Sequence, residues 1–434
     1  MTVTDTNSKN FRAPWIIFWT GFIVRVLYIT LAHTYRIRIF QDHFQFGWEM
    51  GRIARALVTG YGYADPFVGH TGPTAWVPPL YPLLLAAVFK LFGVYSALSA
   101  WVILTINSIF SAAIALFVYE ISARCYNHRV AVWSGWLWAL YPAALQYAVH
   151  WVWEMSLTAM LFSWILVLAL RMRSIGEPSE DANAQTTVRW LLFGILWGLI
   201  ALSNATLLLF LPVCGIWILL SSRSFARTIA HVTLASVVFL ALLTPWVWRN
   251  WNAFHVFIPI RGNLGAEMYA GSGPGSNGFA FIATLPLVER DPETMRYRAL
   301  GEVEYVKEQG QKAKAYLATH REHYLRISLK RFYFFWASVP HPIERSALLE
   351  LGREFSYCVL SVTGVLGLLL SLKNRTPASG LFAWAFLLLP ATYYFVTVSA
   401  RFRHPLEPLI AIFSVYLFQS AETSWNIRWL SRRN

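Results

Sequence analysis

Long apolar stretches alternate with short polar ones along the whole chain. Runs near 12–33, 97–119, 130–149, 154–171, 188–203, 205–221, 229–247, 355–372, 379–397 and 404–421 each reach roughly 17 residues or more, enough for a helix to cross a bilayer. The segment Pro78 to Gly93 opens with Pro-Pro-Leu-Tyr-Pro and carries Lys90. At about 16 residues, or roughly 24 Å of helix, it is short for a crossing. The pattern predicts an all-α polytopic membrane protein with about ten transmembrane helices and juxtamembrane helices in the first long loop.

Basic residues orient the spans. With Pro78–Gly93 resting on the outer surface, Arg124, Arg129, Arg171, Arg173, Arg223, Arg227, Lys373 and Arg375 fall in cytoplasmic loops. So does the tail with Arg428, Arg432 and Arg433. If that segment crossed, all of them would lie outside. The expected topology is multi-pass in the cell inner membrane, with both termini cytoplasmic. The expected organisation is a transmembrane module at 1–247 with a catalytic outer loop at 34–96. A helical outer cap at 248–354 and C-terminal transmembrane helices at 355–434 follow. Within the cap, the glycine-rich stretch 271–278 reads as a flexible loop, and 292–337 has helical character. The polar start does not fit a cleavable leader, and the first run contains Arg25, so that run is expected to be a retained helix.

Composition agrees with the pattern. The 434 residues are 56% hydrophobic and 13% charged, about half the charged content of a typical soluble domain. That excludes a cytosolic enzyme, a disulfide scaffold and a disordered tail protein. The net charge of +14 is read as cytoplasmic loops facing anionic head groups rather than as a nucleic-acid surface. Three cysteines, Cys125, Cys214 and Cys358, show no metal spacing and no disulfide framework.

In a chain with few carboxylates, the first outer loop holds Asp42, Glu49 and Asp65. Phe46, Met50, Ile53 and Leu57 recur at helical spacing, so Glu49 borders an apolar stripe next to Trp48. Partial burial there would raise its pKa and suit it to take a proton. A solvated ion pair with Arg52 or Arg55 at helical spacing is the plainer reading. Glu154 begins the fourth span, where the helix dipole alone favours a carboxylate; facing Glu49 across an outer cavity is the alternative. Arg401, Arg403 and His404 lie in a short outer loop, against the positive-inside trend. A lipid phosphate is a natural partner, and a salt bridge to Glu407 or to a lipid head group accounts for them too. Arg249 and Arg261 flank the exit of the seventh span as further candidates for that role. Arg25, inside the first span, is either functional, snorkelling to the interface or paired with another helix.

Several motifs carry a resemblance: the carboxylate-bearing first loop, the helix ending Ala-Arg-Ala-Leu (54–57), Pro-Pro-Leu-Tyr-Pro-Leu-Leu-Leu-Ala (78–86), Tyr141-Pro142 ahead of Glu154, Pro245-Trp246 with Arg249-Asn250, and Arg401-Phe402-Arg403-His404-Pro405. The chain resembles the polyprenyl-phosphate-sugar-dependent glycosyltransferases of the GT-C fold, including protein mannosyltransferases and lipid A aminoarabinose transferases. Where the latter have a lysine before Pro-Pro, this chain has Val77. The resemblance implies a sugar moved with inversion from a polyprenyl-phosphate donor to a glycan, lipid or protein acceptor hydroxyl. Glu49 or Asp42 would be the general base, with Glu154 as a second acidic group. Arg401, Arg403, His404, Arg249, Arg261, Arg52 and Tyr81 would contact substrate. No cofactor or nucleic-acid partner is implied, and divalent metal dependence is left open. Two other readings stand beside it. One is an O-antigen-type polymerase or ligase. The other is a lipid-linked sugar transporter or flippase, which would place charges deep in several spans.

Overall fold

The computed structural model describes residues 4–177, 185–221, 225–279, 284–287, 289–337 and 347–431. Arg223, Arg432 and Arg433 of the predicted basic loops lie outside them. The helices are α1 (Thr4–Leu31), α2 (Trp48–Val58), α3 (Leu80–Phe92), α4 (Ala97–Cys125), α5 (His128–Leu140), α6 (Pro142–Val149), α7 (Met155–Met172) and α8 (Thr187–Ala201). They continue as α9 (Leu211–Leu219), α10 (Phe225–Phe254), α11 (Leu264–Ser272), α12 (Pro292–Thr319), α13 (Arg321–Ala337), α14 (Ala347–Lys373), α15 (Ser379–Phe395) and α16 (Glu407–Ser431). Short 3-10 turns, Ala205–Phe210 and Ala400–Leu406, lead into α9 and α16. The only β pairing among the described residues is an isolated bridge between Ala64 and Pro73.

The chain is an all-α polytopic membrane protein. Among the described residues, five segments are long and apolar enough to cross a bilayer: Ala13–Leu31, Ala97–Cys125, Met155–Met172, Ala226–Phe254 and Glu354–Lys373. The runs at 130–149, 188–203, 205–221 and 379–397 form shorter or broken helices, and the run at 404–421 enters α16. The run at 130–149 splits at Tyr141, whose φ of −67° and ψ of 123° are the extended conformation that a following proline favours. Pro142 then starts α6, where its missing N–H costs nothing. The 13 residues of α3 extend roughly 20 Å, too short to cross. At its other end, α10 runs past the predicted edge of the span to Phe254.

Caps and small residues explain much of the local order. Ser96, Asn127 and Thr186 accept hydrogen bonds from the first-turn amides of α4, α5 and α8, satisfying donors that a helix start leaves unpaired. Gly194 and Gly198 sit one turn apart on α8, and a Cβ on Gly194 would lie 2.5 Å from the Ala235 carbonyl oxygen of α10. Small residues at this spacing let helices approach closely within lipid. Gly364 and Gly367 of α14 meet Ile410 and Phe413 of α16 in the same way. Arg25, fully buried in α1, donates 2.9 Å hydrogen bonds to the carbonyls of Gly21 and Ala139. The Ala139 carbonyl lies in the last turn of α5, so Arg25 closes part of the break before Pro142.

The stretch 271–278 differs from the flexible loop its glycines suggest. Gly271 and Ser272 finish α11, and Gly271, Ser272 and Ser276 are buried. Buried Arg331 of α13 donates to the carbonyls of Gly271 and Gly278 and, at 3.0 Å, to Ser272 Oγ. The glycines there admit a close approach to Val396 rather than supplying freedom.

Candidate active site

One end of the bundle gathers the loop 34–79, the start of α7, the 3-10 turn 400–406 and the helices α11 to α13. The chain enters α2 through two consecutive left-handed residues, Gly47 (φ 95°) and Trp48 (φ 50°). That turn presses the Trp48 indole onto Trp153, with centroids 3.9 Å apart and a 29° tilt. Trp151 joins them at 5.3 Å from Trp48 and 5.2 Å from Trp153. The Arg401 guanidinium lies 4.0 Å from the Trp153 ring, within cation–π range.

This stack gathers the sequence candidates. Glu49 follows Trp48 and Glu154 follows Trp153. The Glu49 charge acts on Glu154, and Arg401 acts on both carboxylates. Burial raises the Glu49 carboxyl above the ordinary carboxylate range; Arg401 opposes the rise and Glu267 adds to it. Glu154 is 9% exposed, and its Oε2 has no hydrogen-bond partner among the described residues. Arg401 is partly exposed and forms no ion pair or hydrogen bond among the described residues, with its Nε buried and unpartnered. Arg261 borders the recess, donating to the Trp76 carbonyl at 2.9 Å and pairing with Glu267 at 3.2 Å.

The other candidates are committed elsewhere. Arg55 grips Asp42 through two hydrogen bonds of 2.5 and 3.0 Å. Burial alone would raise Asp42, but Arg55 and Arg52 outweigh it and hold the carboxyl below its ordinary range. Arg52 is fully buried and donates through Nε and Nη2 to the Asp42 and Gln41 carbonyls, while its Nη1 has no hydrogen-bond partner among the described residues. Asp65 accepts from the amides of Thr71 and Gly72 and contacts His70, which makes it a loop brace. Arg403 is fully buried between Glu407, at 3.4 Å, the Tyr357 ring and Ser361. His404 contacts the same Glu407 through Nδ1 at 2.7 Å. Arg249 clamps the carbonyls of Tyr63 and Thr74 and lines a cavity of about 480 Å³ with Tyr61, Trp246 and Leu83. Tyr81 is buried and accepts from Asn107 Nδ2 at 2.9 Å; the same amide donates to the Trp151 carbonyl at 3.3 Å.

Two features escaped sequence reasoning. The tripeptide Trp-Glu-Met occurs at 48–50 and again at 153–155, a signal that would have pointed to the tryptophan stack between the two carboxylates. Buried Glu302 of α12 had no such signal. It accepts from Thr74 Oγ1, from the Ala75 amide at 2.6 Å and from Tyr297 at 2.8 Å, tying the first loop to α12. Among the described residues, no group of three or more His, Cys, Asp or Glu side chains is placed to hold a metal ion.

The backbone and the sequence both match known proteins. A family model described as dolichyl-phosphate-mannose-protein mannosyltransferase matches residues 76–248, under half of the chain. The oligosaccharyltransferase of Archaeoglobus fulgidus in its apo form superposes with a TM-score of 0.53 at 14% identity, covering 96% of this chain and 52% of that one. The fold is GT-C. The same oligosaccharyltransferase, AglB, in complex with an inhibitory peptide and a dolichol-phosphate gives the same TM-score, 0.53, and 14% identity, covering 96% of this chain and 52% of that one. ArnT from Cupriavidus metallidurans, bound to undecaprenyl phosphate, aligns over 96% of this chain and 78% of its own, with a TM-score of 0.40 and 13% identity. This chain thus spans about half the length of the oligosaccharyltransferase. A comparison of the sequence with curated proteins gives no match.

Proposed function

We propose that this GT-C protein is a glycosyltransferase that moves a sugar from a polyprenyl-phosphate donor to an acceptor hydroxyl at the outer face of the inner membrane. Both termini would be cytoplasmic. One observation carries the reading: Arg401 has no acceptor of its own among the described residues, yet acts on two carboxylates in a recess at one end of an apolar bundle. A partly exposed cation with an unused N–H edge suits a phosphate oxygen. The dolichol-phosphate in the AglB complex supports a lipid phosphate as that partner.

In this reaction Glu49 accepts the proton of the acceptor hydroxyl as that oxygen attacks the anomeric carbon. The bond from that carbon to the phosphate oxygen breaks on the opposite side, inverting the centre. The electron pair leaves on the phosphate, whose charge Arg401 offsets, with Arg261 in support. Phosphate leaves readily, so no strong general acid is required. Glu154 shares the recess as the second acidic group. Arg403, His404, Arg52, Arg249 and Tyr81 support the walls instead of touching substrate, and Asp42 is neutralised by Arg55. No cofactor enters this scheme.

The test is transfer from a labelled polyprenyl-phosphate monosaccharide by the protein in vesicles. Glu49→Gln should lower kcat by roughly 10² to 10⁴ while the protein keeps its elution profile. Wild-type activity should fall as pH drops through the Glu49 pKa, at a higher pH than an ordinary carboxylate would give, because its burial raises that pKa. Wild-type turnover by Glu49→Gln would overturn the base. Sugar crossing the membrane without transfer would instead mark a transporter.

A further inference from the structure

We propose that Trp153 is the positioning residue of this site, setting Arg401 against Glu49 and Glu154. It rests on the reading of Arg401 as the phosphate ligand. Two segments distant in sequence meet on this one indole, Trp48 at 3.9 Å and the Arg401 guanidinium at 4.0 Å, and Trp151 of its own segment lies at 5.2 Å. The two stacked rings Trp48 and Trp153 each precede a carboxylate of the site. Glu49 follows Trp48, and Glu154 follows Trp153 itself, in the repeated tripeptide Trp-Glu-Met. Rotation or loss of the Trp153 ring therefore displaces the base, the second carboxylate and the cation relative to one another.

The contact with Arg401 has a chemical consequence. A guanidinium stacked on a ring is held through its flat face, and its N–H groups lie in the plane, away from that contact. The stack thus fixes Arg401 without consuming a donor, which is how a cation can be ordered and still lack an acceptor among the described residues. A second stack holds the neighbouring residue: Phe402 lies 4.5 Å from Tyr393 at a 12° angle, and Tyr393 is bound to Thr206 at 2.7 Å. The left-handed Trp48 shows what the arrangement costs. A bulky residue at φ 50° is strained, and the strain is what delivers its ring to Trp153.

Decaprenyl phosphate, carrying no sugar, is the probe. Its Kd is measured for wild type, Arg401→Ala, Trp153→Leu and Trp153→Phe, alongside donor KM, kcat and the pH profile of kcat/KM. Removing the ring contact should raise Kd and donor KM by about ten-fold in Trp153→Leu and move the acidic limb of the profile. Trp153→Phe retains an aromatic face and should recover most of the affinity. If Arg401→Ala weakens binding while Trp153→Leu binds and titrates like wild type, the positioning role fails and the phosphate reading stands. If neither variant changes Kd, the phosphate reading itself fails. A purely structural role for Trp153 would appear as lowered thermal stability with no change in KM or profile, and Trp153→Phe, the milder variant, keeps that outcome measurable.

Discussion

Glu302 offers a sharp test of how the first loop is held over the bundle. Its side chain is 4% exposed and receives three donors: Thr74 Oγ1, the Ala75 amide and the Tyr297 hydroxyl. Glu302→Ala leaves all three without an acceptor. A buried donor left unpaired costs about 1–3 kcal/mol. The two hydroxyls can rotate towards other acceptors, whereas the Ala75 amide cannot, so the total should be about 3–5 kcal/mol. Glu302→Gln keeps the shape and an acceptor for the Ala75 amide. Its NH₂ meets hydroxyls that can reverse and accept, so about 1–2 kcal/mol is expected. The titration adds a sign. Burial raises the Glu302 carboxyl, and the three donors only partly offset it. A group whose folded pKa exceeds its unfolded value contributes most below the unfolded value and loses that contribution as pH rises through the folded one. The stability gap between wild type and Glu302→Gln should therefore narrow as pH rises through that window. The assay is thermal unfolding in detergent, with protease accessibility of residues 61–77 as a local readout. Glu302→Ala within about 1 kcal/mol of wild type, with the loop still protected, would refute the account.

Two further outcomes follow from the packing and the ion pairs. Gly194→Ala pushes a methyl group against the Ala235 carbonyl and should cost about 1–3 kcal/mol by forcing α8 from α10; Gly380→Ala, where nothing lies within 4 Å, is the control, and equal unfolding midpoints for the two would contradict the close-packing argument. Asp42→Asn removes the grip of Arg55 and should cost about 1–2 kcal/mol, a contribution that wild type holds above the ordinary carboxylate pKa and loses as pH falls through the lowered folded value. Because Asp42 is neutralised, its variant should lose less than about ten-fold in turnover, against the 10² or more expected for Glu49→Gln; the reverse order would make Asp42 the base.

Hydrophobic periodicity was a good guide to the membrane character, because a bilayer demands long apolar runs whatever the tertiary contacts. It was a poorer guide to helix ends. The run at 130–149 is continuous in hydropathy and broken in structure, since Pro142 acts through backbone geometry that a hydropathy window does not weigh. The glycines at 271–278 misled for a related reason. Outside a fold they signal freedom, whereas here they admit Arg331 and Val396 to close contact.

The arginines show where composition stops being informative. Arg401 and Arg403 sit two residues apart in one short motif. Within a helical turn, residues two apart face different directions. Arg403 therefore turns to Glu407, Ser361 and Tyr357, where it is fully buried and its charge is matched. Arg401 turns to Trp153 and keeps its N–H edge unspent. A buried cation with a matched carboxylate has little to gain from a phosphate, because binding one would first require breaking the pair. A cation held only by an aromatic face has no such pair to lose. That difference in partner, which no count of charges reveals, is why the proposed phosphate contact is assigned to Arg401 and not to Arg403.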